Sequence, residues 1–388
     1  AGWNREHRRV TETDLAKGSQ RIASVIICRT AGQVVLIRGV AFSSLRRVST
    51  FTHGIATLGL AIGCTVVVSV IVVGNPDDAR ARPAIPVGVA YSAPLAEGEW
   101  KLAYTYRRIH GGGLRKGSKH IAIRDAAVPP IDQVPFEMDS DIHTLGLQHA
   151  PFARLTLAIE LPLVSRRMRQ RDFSSAGGPS YTTHSFGVGD LEIVAVVPFM
   201  EKDNDTLEFH LGLRFPTADI GNKGERGPAS GRGLLPVSMQ SGSRTTSILG
   251  GLSFQGYKQG LGWGVNGSGT VGLGKNNRGY RLGNSMTFTG WLAHDLTRWF
   301  SGSLRLAYDQ WFHMQKTEFS DATDHLSSYR SSTGGKRLAL APGVSIDLPG
   351  LMSGQRLSLE ASWPLYQSMR GIQIDRDFHL MTGWEWIF

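Results

Sequence analysis

The stretch DFHLMTGWEWIF, residues 377–388, decides how the chain is read. Every second residue back from its end collects Phe388, Trp386, Trp384, Thr382, Leu380 and Phe378. The interleaved set is Ile387, Glu385, Gly383, Met381 and His379. In a β-strand these sets point to opposite sides. A face ending in a run of aromatic rings is unusual where another protein layer must cover it. It is natural where apolar side chains meet lipid and aromatic rings sit at the bilayer interface. An edge strand of a soluble sandwich would alternate in the same way, so the rest of the chain has to choose.

The alternation recurs upstream. At 207–215, Leu207, Phe209, Leu211, Leu213 and Phe215 oppose Glu208, His210, Gly212 and Arg214. At 154–163, Leu155, Leu157, Ile159, Leu161 and Leu163 oppose Arg154, Thr156, Ala158, Glu160 and Pro162. At 99–107, Trp100, Leu102, Tyr104 and Tyr106 oppose Lys101, Ala103, Thr105 and Arg107. Further strands are expected at 142–149, 191–199, 246–255, 261–271, 286–294, 301–311, 337–346 and 356–366, about twelve in all. Long polar connections (110–139, 166–188, 216–244) alternate with tight ones (150–152, 202–205, 256–260). A soluble sandwich explains the strands but not this asymmetry. An even number of strands joined by alternating long and short links predicts an all-β, up-and-down transmembrane β-barrel.

Composition agrees. The 388 residues include 47 Gly and 17 Pro, and no helical period of useful length follows Gly74. This excludes a bundle of membrane helices. The formal charge of +10 would suit an acidic partner, but no dense Lys/Arg run is present, so nucleic-acid binding is not expected. Both cysteines, Cys28 and Cys64, precede the strands, which fits folding in an oxidising compartment without a disulfide.

Residues 1–45 have mixed charge and no clear period and are assigned no fold. After Arg46 and Arg47, FTHGIATLGLAIGCTVVVSVIVVG (51–74) is almost continuously apolar, as in an export signal, with small residues at Ala79 and Ala81 for cleavage. The same run would also serve as a retained anchor. The expected organisation is an extension and export signal over 1–81, a short periplasmic lead-in over 82–98, and a barrel over 99–388.

If the leucine rows touch lipid, the opposite rows line the lumen. That assigns Lys101, Arg107, Arg154, Glu160, Glu192, Glu208, His210, Arg214, Arg305, Asp309, Arg337, Arg356, Glu360 and Glu385 to the inner wall. Charges there must pair or meet water. One reading is a hydrated channel that filters solutes by charge; the other is a narrow barrel filled by salt-bridged side chains. Position Gly212 is expected to face open lumen.

No catalytic motif is present. His149, His210, His294 and His379 are scattered, and Glu137, Asp139 and Asp141 lack the glycine a calcium loop needs. No catalytic residue, metal or cofactor is expected. A hydrolase assembled from Ser and His on neighbouring strands is the enzymatic alternative, and an adhesive barrel acting through its outer loops (166–188, 219–236) is the structural one.

Several segments, in order, resemble an outer-membrane barrel family labelled phenol meta-pathway degradation protein or transporter. They are EGEW (97–100), SFGVGDL (185–191), FPT (215–217), PVSMQSGS (236–243), GYRLG (279–283) and PLYQ (364–367). The resemblance spans roughly 97–388. It implies a bacterial outer-membrane barrel for small solutes, including aromatic compounds, bounded by outer-membrane lipid and lipopolysaccharide. The Phe388 end resembles the mark recognised by the barrel-assembly machinery. Methionine-rich stretches near the first strand of some relatives suggest copper, but here that region reads Tyr106-Arg107-Arg108-Ile109-His110.

Overall fold

The computed structural model describes residues 84–91, 95–127, 131–174, 178–202, 204–223, 234–316, 332–348 and 352–388, together with two earlier strands. The expected export signal, its cleavage region and Cys64 lie outside the described residues. The chain divides into two units, 1–70 and 71–388. In the first, Ala23–Thr30 and Gln33–Val40 pair as an antiparallel hairpin. The hairpin lies within the 1–45 stretch to which the sequence pattern assigns no fold. Both arms are rich in Val and Ile, and only Ala31 and Gly32 connect them.

In the second unit, alternating polar and apolar residues build twelve antiparallel barrel strands. They are β1 Trp100–Gly112, β2 Gln133–Phe152, β3 Leu155–Asp172, β4 Leu191–Lys202, β5 Asp205–Phe215 and β6 Ser247–Lys258. The rest are β7 Leu261–Gly272, β8 Ser285–Asp295, β9 Phe300–Trp311, β10 Gly335–Asp347, β11 Gln355–Ile374 and β12 Phe378–Ile387. Each pairs with its neighbours in sequence, and β12 returns to β1. At that seam Trp100 N–H donates to the Phe388 carbonyl at 2.8 Å, and Phe388 N–H to the Trp100 carbonyl at 2.9 Å. Closure satisfies the backbone groups that lipid cannot and leaves no open edge among the twelve wall strands.

The outer rows carry large exposed apolar side chains such as Leu145, Leu211, Leu252, Val265, Phe288 and Leu292. An apolar belt of that extent on a sheet exterior is a surface for hydrocarbon. Near the short turns Phe152, Phe199, Trp299 and Phe388 form one aromatic rim. In the turn joining β6 to β7, Gln259 (φ 51°) and Gly260 (φ 82°) both take the left-handed conformation that a two-residue hairpin turn requires.

Two of the expected long links are largely strand. β2 and β3 are 20 and 18 residues long, and Ser180–Val188 adds a further pairing to β3. Their outer rungs match opposite charges, Glu137 with Arg169 and Asp139 with Arg167, and Arg169 Nη1 lies 2.7 Å from Glu137 Oε2. Cross-strand ion pairs and ladder hydrogen bonds keep such strands together without an apolar face. The expected loop at Gly371 is a bend within β11, where φ is 68° and the register shifts between Met369 and Ile372. Beyond it the chain pairs with Leu114–Gly117, breaks at 375–377, and resumes as β12. That break lies so close to β1 that a Cβ on Gly111 would sit 2.2 Å from the Asp375 carbonyl oxygen. Only glycine fits there.

Candidate functional site: the barrel lumen

Of the expected lumen residues, Lys101, Arg107, Glu160, Glu192, His210, Arg214, Arg356 and Glu385 border the cavity within the barrel. Glu208, Arg305, Arg337 and Glu360 are buried, Asp309 pairs with Arg337, and the exception is Arg154. That arginine lies in the turn before β3 and is exposed. The strand begins at Leu155, one residue later than the alternation suggests. The remaining charges are largely paired along the wall. Near the short-turn end, Lys101 Nζ lies 3.7 Å and Arg356 Nη1 3.8 Å from Glu385, while Arg356 Nε donates to Asp347 at 2.6 Å. Farther up, Arg305 grips Glu360 with bonds of 2.9 and 2.5 Å, and both are buried. Arg214 bridges to Glu192 at 2.7 Å, Gln255 donates to Glu208 at 2.6 Å, and Arg337 pairs with Asp309. Arg107 differs: its guanidinium stands on the wall of the cavity with no hydrogen-bond partner among the described residues.

The expected lead-in over 82–98 does not stay outside the barrel. Ala84 and Val89 pack on Trp291 and Ala293 of β8. A turn follows, closed by Val89 N–H to the Pro86 carbonyl at 3.0 Å. Gly88 lies flat on the Arg305–Glu360 pair, where an added Cβ would sit 2.3 Å from Arg305 Nη2. Tyr91 donates to Glu192 Oε2 at 2.7 Å and meets His210 edge-on. Burial, with Glu160 and Glu192 close by, holds the Tyr91 phenol far above its ordinary value and keeps it a donor. Leu95 is buried, and its N–H donates to Thr156 Oγ1 at 3.3 Å near the short-turn end. Residues 84–91 therefore stand inside the lumen, and Leu95 lies at its short-turn end. Apolar alternation gives no warning of this, because the segment is held by a turn, a glycine and one tyrosine.

A second element closes the long-loop end. The described parts of the connection 216–246, residues 216–223 and 234–246, fold inward, with Leu235 and Met239 packed against Met168, Met138 and Ile374. Arg166 clamps it from β3, donating to the Ser238 and Gln240 carbonyls at 2.6 and 2.5 Å. Asp190 ties both ends. It accepts from Ala218 N–H at 3.1 Å, Ser243 N–H at 2.6 Å, Ser243 Oγ at 2.8 Å, and Arg244 N–H at 3.2 Å. Of the glycines of SFGVGD, Gly187 serves the same contact, since a Cβ there would lie 2.3 Å from Ser241 Oγ, whereas Gly189 packs on β3, where a Cβ would lie 2.7 Å from Pro162 Cγ. Sequence reasoning marked this motif as a landmark but missed Asp190, Arg166 and Gln240 as the fastening of a lid.

Between residues 85–91 and the barrel wall remains a cavity of about 580 Å³. Lys101, Arg107, Glu160, Glu192, His210 and Arg214 are on its walls, as are Val87, Val89, Val194, Leu249 and Met381. The wall is thus salt-bridged, as one sequence reading expected, yet it still encloses open space. Among the described residues no group of three or more His, Cys, Asp or Glu is placed to hold a metal ion.

No family model matches the chain, and no curated protein matches it. Among solved structures it is similar to the COG4313 outer membrane channel from Pseudomonas putida F1, with a TM-score of 0.56 and 13% identity over 78% of this chain and 100% of that one. A FadL homologue from Pseudomonas aeruginosa and the Pseudomonas putida toluene transporter TodX align with TM-scores of 0.35 each and 10% identity, covering 75% and 76% of this chain and 90% of each of those. The first of these likenesses establishes a shared barrel fold.

Proposed function

We propose that the protein is a bacterial outer-membrane channel that passes small solutes, aromatic compounds among them, and carries out no catalysis. The supporting observation is the charged cavity of about 580 Å³ inside a closed barrel whose outer surface is apolar. Buried charges are costly unless they pair or meet water, and a lumen that keeps both pairs and open space suits filtered passage. The aromatic part of the reading rests on the family that the sequence resembles. In this reading the belt faces outer-membrane lipid, the long-loop end meets lipopolysaccharide, and β12 is what the barrel-assembly machinery receives. Residues 84–91 and the described parts of the 216–246 connection stand in the route, so passage requires them to shift. Purified full-length protein in planar bilayers should give discrete conductance steps. A silent bilayer at high protein load would defeat the proposal.

A further inference from the structure

The upper lumen holds more positive charge than its carboxylates cancel. Arg305 is taken by Glu360 and Arg337 by Asp309. Arg107 and Arg376 have no ion-pair or side-chain hydrogen-bond partner among the described residues. Both stand within electrostatic reach of this group: Arg107 senses Arg305, Asp309 and Glu360, and Arg376 senses Arg337, Asp309 and Arg107. His379 completes it. The rungs pair Arg107 with Met381 and His379 with Ile109, so the two side chains share the inner face as diagonal neighbours about 7–8 Å apart.

Of the other acidic groups nearby, one is committed and one is shared. Asp375, beside Arg376, is bound by Arg115 at 2.6 Å and by Gln367 Nε2 at 2.7 Å. Glu160, the remaining carboxylate that Arg107 senses, also faces Lys101 and Glu192. Four guanidinium groups therefore answer to Asp309, Glu360 and a share of Glu160. One donor shows the deficit directly: Arg337 is 9% exposed, yet its Nη1 is buried with no partner. Nε2 of His379 is also buried with none. Nor is the arrangement loose. Gln367 fixes the break that presents Arg376, donating also to the Arg376 carbonyl at 2.8 Å.

Arg107 is the member of this group on the cavity wall, and much of the cavity surface beyond it is apolar: Val87, Val89, Val194, Leu249 and Met381. A guanidinium fork presents paired donors to a carboxylate, which an ammonium or a lone backbone N–H does not. A solute that satisfied both surfaces would carry one anionic head on an apolar body. We propose that the lumen is a binding site for small amphiphilic carboxylates, the head held at Arg107 with Arg376, Arg337 and His379 behind it, and the body against the apolar wall. This rests on the channel reading and sharpens it to a class of solute.

The test is a binding measurement, separate from conduction. Full-length protein in detergent is titrated calorimetrically with sodium benzoate, with benzyl alcohol as its uncharged counterpart, and with inorganic phosphate as an ion without a body. Benzoate should bind saturably, at least about tenfold tighter than either. The double variant Arg107→Gln with Arg376→Gln should lose at least about tenfold in benzoate affinity while keeping the heat-modifiable gel migration of a folded barrel. Equal binding of benzoate and benzyl alcohol, phosphate binding as tight as benzoate, or no benzoate binding would each overturn the inference, even if the variant failed to fold. So would a folded double variant with unchanged affinity. A protein that conducts but does not bind benzoate keeps the channel reading and loses the site; one that binds but never conducts does the reverse.

Discussion

Replacing Asp190 by alanine should release the lid without unfolding the barrel. The carboxylate accepts bonds from both ends of the 216–246 connection, from Ala218 N–H, Ser243 N–H and Oγ, and Arg244 N–H. Ala218 is 1% and Ser243 6% exposed. Their N–H groups would therefore lose a charged acceptor in a place water reaches poorly. Each buried donor left unpaired costs about 1–3 kcal/mol. Two such groups bracket a loss of about 2–6 kcal/mol, and water entering the gap recovers part of it. Other fastenings remain, notably Arg166 on the Ser238 and Gln240 carbonyls and Asn276 Nδ2 on the Ser243 carbonyl at 2.9 Å. A net loss of about 3 kcal/mol makes local opening of the loop about 100-fold more frequent. Amide hydrogen exchange reads this directly. Ser243 and Arg244 should exchange about 100-fold faster while amides of β9 and β10 hold their rates. An acceleration below about threefold at Ser243 and Arg244 would refute the lid assignment. So would an equal acceleration throughout the barrel, because the carboxylate would then be supporting the whole wall.

Two more outcomes test the inside–outside assignment and the inner segment. Leu211→Arg, on the belt, should cost about 2–4 kcal/mol in denaturant unfolding from bilayers, whereas Thr144→Arg, on the cavity wall, should change conductance and spare assembly; similar behaviour of the two would show the faces to be misassigned. Gly88→Leu forces a side chain onto the Arg305–Glu360 pair, which costs about 3–5 kcal/mol to break. The cheaper response is for 84–91 to lift away, so unitary conductance should rise, and an unchanged conductance would show that this segment does not obstruct the route.

The wall of the barrel was legible in the sequence because a strand with lipid on one side and water on the other must alternate. Leu207 to Phe215 and Leu155 to Leu163 announce it by period alone. What fills the barrel was not legible, for a physical reason. The lid and the inner segment are held by single polar groups such as Asp190, Arg166 and Tyr91, whose partners lie far along the chain and leave no local pattern. The same limit explains the strand extensions above the membrane. Glu137, Asp139, Arg167 and Arg169 look like loop residues until their rungs are known. Gly212 shows the converse error. Its parity is inward, but a Cβ there would sit 2.5 Å from the Ile193 carbonyl oxygen, so it is a packing position rather than open lumen. Arg154 has the right parity one residue too early.

The seam between β1 and β12 has a kinetic consequence. Apart from the short pairing of β11 with Leu114–Gly117, every other wall contact joins strands that follow one another along the chain, and so can form as a local hairpin. The ladder from Lys101–Ile387 to His110–Phe378 joins the first strand to the last. Its closure entropy is that of nearly the whole barrel, and it cannot form until all twelve strands are in place. Until then two edges stand open and able to pair with other chains. Folding should therefore be rate-limited by one zipping event, and weakening β12 should slow assembly far more than an equal weakening of a middle strand.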